Sequence, residues 1–201
     1  MRIKKDELKE ENKETRLLNT AFKLFTEKGI KDTSIQEIVD NADVGKGTFY
    51  LYFKDKYDVK NKLIVHKTNE LFTAAGAALE ESGITGLEDE LIFIINHIID
   101  MLVENKPLLN FISKNLVMGA LRSALLTGES SDREFYDKFL QLVEADAYSY
   151  ADVDVMLFTI VELAGSAGYN SILYNEPLPI ETYKPFLYRS VRLIIQSHRA
   201  G

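Results

Sequence analysis

Cysteine is absent from the 201 residues. That excludes a disulfide framework, a thiolate metal site and a cysteine nucleophile, and it suits a reducing compartment. Proline is scarce: Pro107, Pro177, Pro179 and Pro185 are the only four, and none precedes residue 107. No apolar run follows Met1, where Arg2, Lys4, Lys5, Asp6 and Glu7 stand. A secretory signal needs such a run, so a cytoplasmic protein is expected. Apolar stretches such as Leu91–Ile95 fall far short of a bilayer span, and no membrane partner is expected.

Positive charge is also short, with a net charge of −7. Its distribution matters more than its total. Residues 1–60 hold 13 Lys and Arg against 12 Asp and Glu, whereas the remainder holds 11 against 19. A nucleic-acid contact could therefore live only in the first sixty residues, as a local basic patch.

Catalytic constellations are missing as well. His66, His97 and His198 lie far apart. His66 with Glu70 has helical i,i+4 spacing, but no second Glu-x-x-His stands ready to complete a di-iron site. No Gly-x-Ser-x-Gly elbow occurs. Gly45-Lys46-Gly47-Thr48 looks like part of a phosphate loop, yet Asp40 stands where the leading glycine should be. Gly47 stands where Ser or Thr should follow the lysine. No enzyme, metal or cofactor is expected.

What is present is helical periodicity, and the fold class is read as all-α. A first helix spans about Glu7–Lys28, with Leu17, Leu18, Ala21, Phe22, Leu24 and Phe25 as its apolar stripe, and Gly29 stops it. Two overlapping capping boxes, Thr33 with Gln36 and Ser34 with Glu37, start a short second helix burying Ile35, Ile38, Val39 and Ala42. Asp43 marks a turn, and a third helix covers about Lys46–Tyr52. Asp55 caps a long fourth helix, Lys56–Glu81. Further helices follow over about Leu87–Glu104, Pro107–Leu126, Arg133–Tyr148, Asp152–Tyr174 and Ile180–His198. The expected domains are residues 1–56, a three-helix reading head, and residues 57–201, a larger helical body.

On the third helix, Val44, Phe49 and Phe53 share a core with Ile38 and Phe25. The opposite face carries Lys46, Gly47, Thr48, Tyr50 and Tyr52. Hydroxyls and an ammonium can fix a register on phosphates, and the capped start of the second helix offers N–H groups to an anion. Two short helices joined by a tight turn have helix-turn-helix geometry.

Thr33-Ser34-Ile35-Gln36-Glu37-Ile38, followed by Ala42 through Lys56, resembles the DNA-binding signature of the tetracycline-repressor (TetR) family. Ala21-Phe22-Lys23-Leu24-Phe25 and Lys28-Gly29-Ile30 match its usual first helix, so the resemblance covers about residues 12–60. It implies DNA contacts from Thr33, Ser34, Gly45, Lys46, Gly47, Thr48, Tyr50, Tyr52 and Lys56. Three positions depart from the pattern. Asp43 replaces the usual glycine, and aspartate tolerates the left-handed conformation better than most residues. Gly45 replaces a capping Ser or Thr, at a cost of a few tenths of a kcal/mol. Tyr52 replaces a frequent histidine.

The same resemblance implies a double-stranded DNA operator, pseudo-palindromic, with recognition helices of a homodimer about 34–36 Å apart. It further implies a small-molecule effector in a C-terminal ligand-binding and dimerisation domain. Leu91–Leu102, interrupted by Asn96, His97 and Asp100, reads first as a buried bundle helix and alternatively as a pocket wall. Ligand-binding candidates are Asn96, His97, Asn110, Met118, Arg122, Glu162 and Tyr169. The small residues Ala164-Gly165-Ser166-Ala167-Gly168 let two helices approach closely. A homodimer through about residues 152–175 and 180–198 is expected, against the alternative of an intrachain core. The competing functional reading is a helical ligand- or partner-binding protein with a decayed reading head.

Overall fold

The computed structural model describes residues 12–112 and 134–200. Among the described residues the chain forms only helices, joined by turns and one isolated antiparallel bridge between Tyr150 and Arg199. In order these are α1 (Lys13–Lys28), α2 (Ile35–Asn41), α3 (Lys46–Tyr52), α4 (Lys56–Ser82), α5 (Leu87–Glu104), α6 (Lys106–Ile112), α7 (Glu134–Ala145), α8 (Val153–Tyr174) and α9 (Ile180–Ser197). The all-α reading holds. The expected start of the first helix and the later part of the expected Pro107–Leu126 helix, with Met118 and Arg122, lie outside the described residues.

The chain divides into two compact units between Leu63 and Ile64, inside α4. In the first, α1 packs on α2 and α3, and these pack on each other. Leu17, Ala21, Ile38, Phe49, Phe53, Val59 and Leu63 form its core. Local chemistry sets each boundary. The Asn12 side chain accepts the Glu14 N–H at 3.1 Å and opens α1. Gly29, at φ 86°, closes it. Asp55 accepts the N–H groups of Tyr57 and Asp58 at 2.8 and 2.9 Å, opening α4.

In the second unit α8 packs along α9, and α5 touches α6, α8 and α9. Polar ties reinforce the apolar core. Arg192 pairs with Glu88 and Asp89, and Arg199 pairs with Glu88 at 2.7 Å. Lys184 is only 8% exposed. Its ammonium bonds Asp100 at 2.6 Å and Glu181 at 2.8 Å. Burial works against its charge, but those bonds outweigh it and hold the ammonium above its ordinary range. The helix expected to reach Tyr148 stops at Ala145 instead. Beyond it Asp146 accepts the Leu87 N–H and the Tyr150 hydroxyl, while Ala151 N–H and Ala200 N–H bond His198 and Ser149 carbonyls. Those partners offer the backbone a better alternative to another helical turn.

By length and hydropathy α8 could cross a bilayer. Its buried positions, including Met156, Leu157, Ile160 and Val161, belong to the core of the second unit.

Candidate nucleic-acid interface

The turn between α2 and α3 is held from the side by α1. The Arg16 guanidinium donates to the carbonyls of Ala42 and Asp43, the latter at 2.7 Å, and lies 3.9 Å from the Asp43 carboxylate. Asp43 adopts φ 53°, the left-handed conformation expected of it. Nothing in the spacing of Arg16 pointed to this clamp, because its partners are backbone atoms 26 and 27 residues away.

Helix α3 then presents two faces. Phe49 is fully buried and Phe53 nearly so, against the core that holds Ile38 and Phe25. The Phe49 and Phe53 rings lie 5.5 Å apart. Lys46 and Gly47 are exposed, Thr48 and Tyr52 half-buried, and Tyr50 is 54% exposed. Leu51 is 82% exposed. Sequence reasoning passed over it. The available signal was its register, two residues past Phe49 and two before Phe53, which turns it outward on a helix whose aromatics face in. At the end of α3, Lys62 donates to the Tyr52 carbonyl at 3.0 Å and sits 5.0 Å over the Phe53 ring.

Gly45 caps α3 with extended backbone and no side-chain hydrogen bond, as its composition implied. A Cβ atom built on Gly45 or on Gly47 would meet nothing within 4 Å. Neither glycine is therefore required by the packing of this chain. A glycine that weakens a helix without relieving an internal clash is suited to close approach by an outside surface.

Three expected contacts turn out to be engaged internally. Thr33 is buried, and its hydroxyl donates to the Gly29 carbonyl at 2.8 Å. Of the two possible capping boxes only Ser34 with Glu37 forms. Ser34 is the N-cap, so Thr33 lies outside the helix and cannot cap it. Ser34 remains exposed, but its hydroxyl and N–H are bound to Glu37. The Lys28 ammonium, followed by the Ser34 N–H and hydroxyl, pulls the Glu37 carboxyl down to about 2. The Lys56 ammonium donates to the carbonyls of Lys31 and Thr33 at 2.8 and 2.9 Å, which ties the start of α4 to the loop before α2.

The second unit contains an apolar cavity, open at its mouth. Ile98, Ile99, Leu102, Leu109, Ile160 and Val161 contribute to its walls. Of the ligand-binding candidates, Tyr169 lines it. Asn96 does not: it accepts the Tyr188 hydroxyl and donates to Asp100, tying α5 to α9. His97 stacks on Phe93. Asn110 and Glu162 are exposed, although Asn110 comes within 3.5 Å of the Tyr169 hydroxyl. The small residues of α8 also read differently in three dimensions. Ala164, Gly165 and Gly168 face this cavity, where their missing side chains leave room. Among the described residues no cluster of three or more His, Asp or Glu could hold a metal ion.

Residues 17–61 match the family model of bacterial regulatory proteins, tetR family. The chain is similar to the HTH-type transcriptional regulator YuxN of Bacillus subtilis, with 38% identity over 61 residues. That match covers 30% of this chain and 21% of the relative, so the chain spans about a fifth of that relative's length. Among solved structures, a TetR-family transcriptional regulator from Streptomyces coelicolor superposes with a TM-score of 0.64 at 19% identity, covering 93% of this chain and 99% of that one. The regulator FadR from Bacillus subtilis, solved in complex with stearoyl-CoA, gives 0.55 at 13% identity, covering 90% and 96%. At such identities these likenesses show a shared fold.

Proposed function

Because the chain belongs to the tetR family of bacterial regulatory proteins, we propose that it is a repressor, a homodimer that binds a pseudo-palindromic operator through α3 and is released by an apolar small molecule. One observation carries the reading: α3 buries Phe49 and Phe53 while exposing Lys46, Gly47, Tyr50 and Leu51. Lys46, Thr48 and Tyr52 take phosphates, which sets the register. Tyr50 reaches a base edge, and the Leu51 side chain meets a thymine methyl in the major groove. Thr33 and Lys56 support the loop before α2 instead of touching DNA, and Ser34 contacts a phosphate only if Glu37 yields.

Dimerisation through α8 and α9 is supported by large apolar side chains left on their outer faces. Val155 and Phe158 on α8, and Phe186 and Leu193 on α9, are each about half exposed or more. A second copy would cover them. The effector enters the cavity lined by Tyr169 and the branched aliphatic residues of α5 and α8. A pocket with that lining selects an apolar molecule, and the complex of FadR with stearoyl-CoA is a precedent on the same fold. Helix α4 belongs to both units and is the covalent path by which an effector biases the reading head. Moving the population from 1:99 to 99:1 requires about 10⁴-fold differential affinity, or about 5.5 kcal/mol.

The test is a mobility shift with the duplex upstream of the protein's own gene, against a scrambled duplex of equal length. Preferential retardation of the first supports the reading. Equal retardation of both, or of neither, sinks it and favours a decayed reading head.

A further inference from the structure

Helix α3 is seven residues long. A helix that short does not hold its own place, so its pose depends on what grips it from outside. Phe49 and Phe53 press inward and fix its depth. Two anchors on one inner face restrain roll about the line joining them least. Arg16 of α1 steadies the start, through the Ala42 and Asp43 carbonyls. Lys62 of α4 holds the end.

Lys62 joins α4 to both α1 and α3. Its ammonium donates to the Tyr52 carbonyl at 3.0 Å, lies 3.5 Å from the Glu14 carboxylate of α1, and sits 5.0 Å over the Phe53 ring. The Tyr52 carbonyl is among the last of α3, which have no partner inside the helix. A cation there also suits the negative end of the helix dipole. The turn between α3 and α4 is built separately. Asp58 accepts the Lys54 N–H at 2.9 Å, and Asp55 opens α4. The Lys62 side chain is 46% exposed and that of Glu14 32%, so the pair adds little to stability. What the contact does supply is orientation, because Tyr50 and Leu51 stand just before the carbonyl it holds.

We infer that Lys62 is a positioning residue for DNA reading: it aims the end of α3 so that Tyr50 and Leu51 meet base edges, without touching DNA itself. The inference rests on the proposal that α3 reads an operator, and it adds a residue that sets how well α3 discriminates. Contacts to phosphate tolerate a small tilt of the helix, whereas contacts to base edges do not. Removing the ammonium should therefore cost specificity and spare the sequence-independent part of binding.

Anisotropy on the full chain tests it, with the duplex upstream of its own gene and a scrambled duplex across a salt series. Lys62→Met keeps an apolar stem over Phe53 and removes the ammonium. It should bind the first duplex at least about fivefold more weakly, bind the scrambled duplex as the native chain does, and keep the native salt slope. Lys62→Arg, which restores charge and donor, should return the native preference. In the free Lys62→Met chain, amide exchange should quicken at Tyr52 and Phe53 and stay unchanged in α1 and α2. An unchanged preference in Lys62→Met, or a Lys62→Arg variant no better than it, overturns the inference. So does equal weakening on both duplexes with the slope lowered by about one unit, which marks a phosphate contact. Protection lost throughout α1, α2 and α3 overturns it too, by making Lys62 a strut of the fold. A native chain that prefers neither duplex sinks the operator reading and this inference with it. A native chain with the preference, beside a Lys62→Met variant that keeps it, sinks the inference alone.

Discussion

Replacing Gly47 by alanine separates folding from function at a single methyl group. Gly47 is the second residue of α3, and a Cβ there meets no atom within 4 Å. Alanine in place of a helical glycine gains about 0.5–1 kcal/mol. At 1.4 kcal/mol per factor of ten, that slows amide exchange through opening of α3 about two- to fivefold. The same methyl occupies the surface against which a duplex would press. A loss of about 1.4 kcal/mol there is a tenfold loss of affinity, and a dimer carries the change twice. Exchange measurements on the free protein and fluorescence anisotropy with the operator read the two effects independently. The expected outcome is a more protected α3 and at least tenfold weaker binding. A variant that gains protection and binds DNA as well as its parent would refute the reasoning, because the glycine would then serve no approaching surface. Faster exchange would refute it differently, by showing that the fold itself needs the glycine.

Arg16→Ala removes the donors that hold the Ala42 and Asp43 carbonyls. It should destabilise the first unit by about 1.5 kcal/mol, the low end for charged hydrogen bonds because the side chain is about a third exposed. Exchange protection in α2 and α3 checks this, and an unchanged pattern means the turn holds itself. Glu37 carries a depressed carboxyl, near 2 against an ordinary value of 4.5. Its stabilising bonds are fully present above pH 4.5 and are lost as pH falls toward 2. Glu37→Gln should therefore flatten the acid limb of a stability curve between those values while costing stability at neutral pH. A curve parallel to the native one counts against the assignment. The Thr68 hydroxyl is buried without a hydrogen-bond partner among the described residues. Thr68→Val should leave the urea midpoint unchanged or raise stability by up to about 1 kcal/mol, and a clear loss would reveal a bond to that hydroxyl.

Sequence made the reading head legible because its signals are local. Caps at Ser34 and Asp55, the stop at Gly29 and the left-handed Asp43 each act within a few residues. The inward register of Phe49 and Phe53 follows from helical period alone. The bundle was legible only as helices. Which neighbour a side chain meets depends on how α5, α8 and α9 are arranged, and no periodicity contains that. Asn96 looked like a pocket group and instead bridges to Tyr188, whose hydroxyl burial raises to about 12. The small residues of α8 promised close helix approach, yet Ala164, Gly165 and Gly168 open a cavity. Thr33 and Ser34 offered two equivalent capping boxes. The Gly29 carbonyl, which accepts the Thr33 hydroxyl, decides between them.

Operator affinity of Lys46→Ala and Tyr50→Ala, measured by anisotropy across a salt series beside the native chain, bears most directly on the outward face of α3. Both side chains are exposed, so far-ultraviolet circular dichroism should stay unchanged. Lys46→Ala should weaken all duplexes alike and reduce the salt slope by about one unit, while Tyr50→Ala should cost about 1–3 kcal/mol on the operator and less on other sequences. Native affinity and slope in both variants would place the DNA-reading surface elsewhere, or nowhere, on this protein.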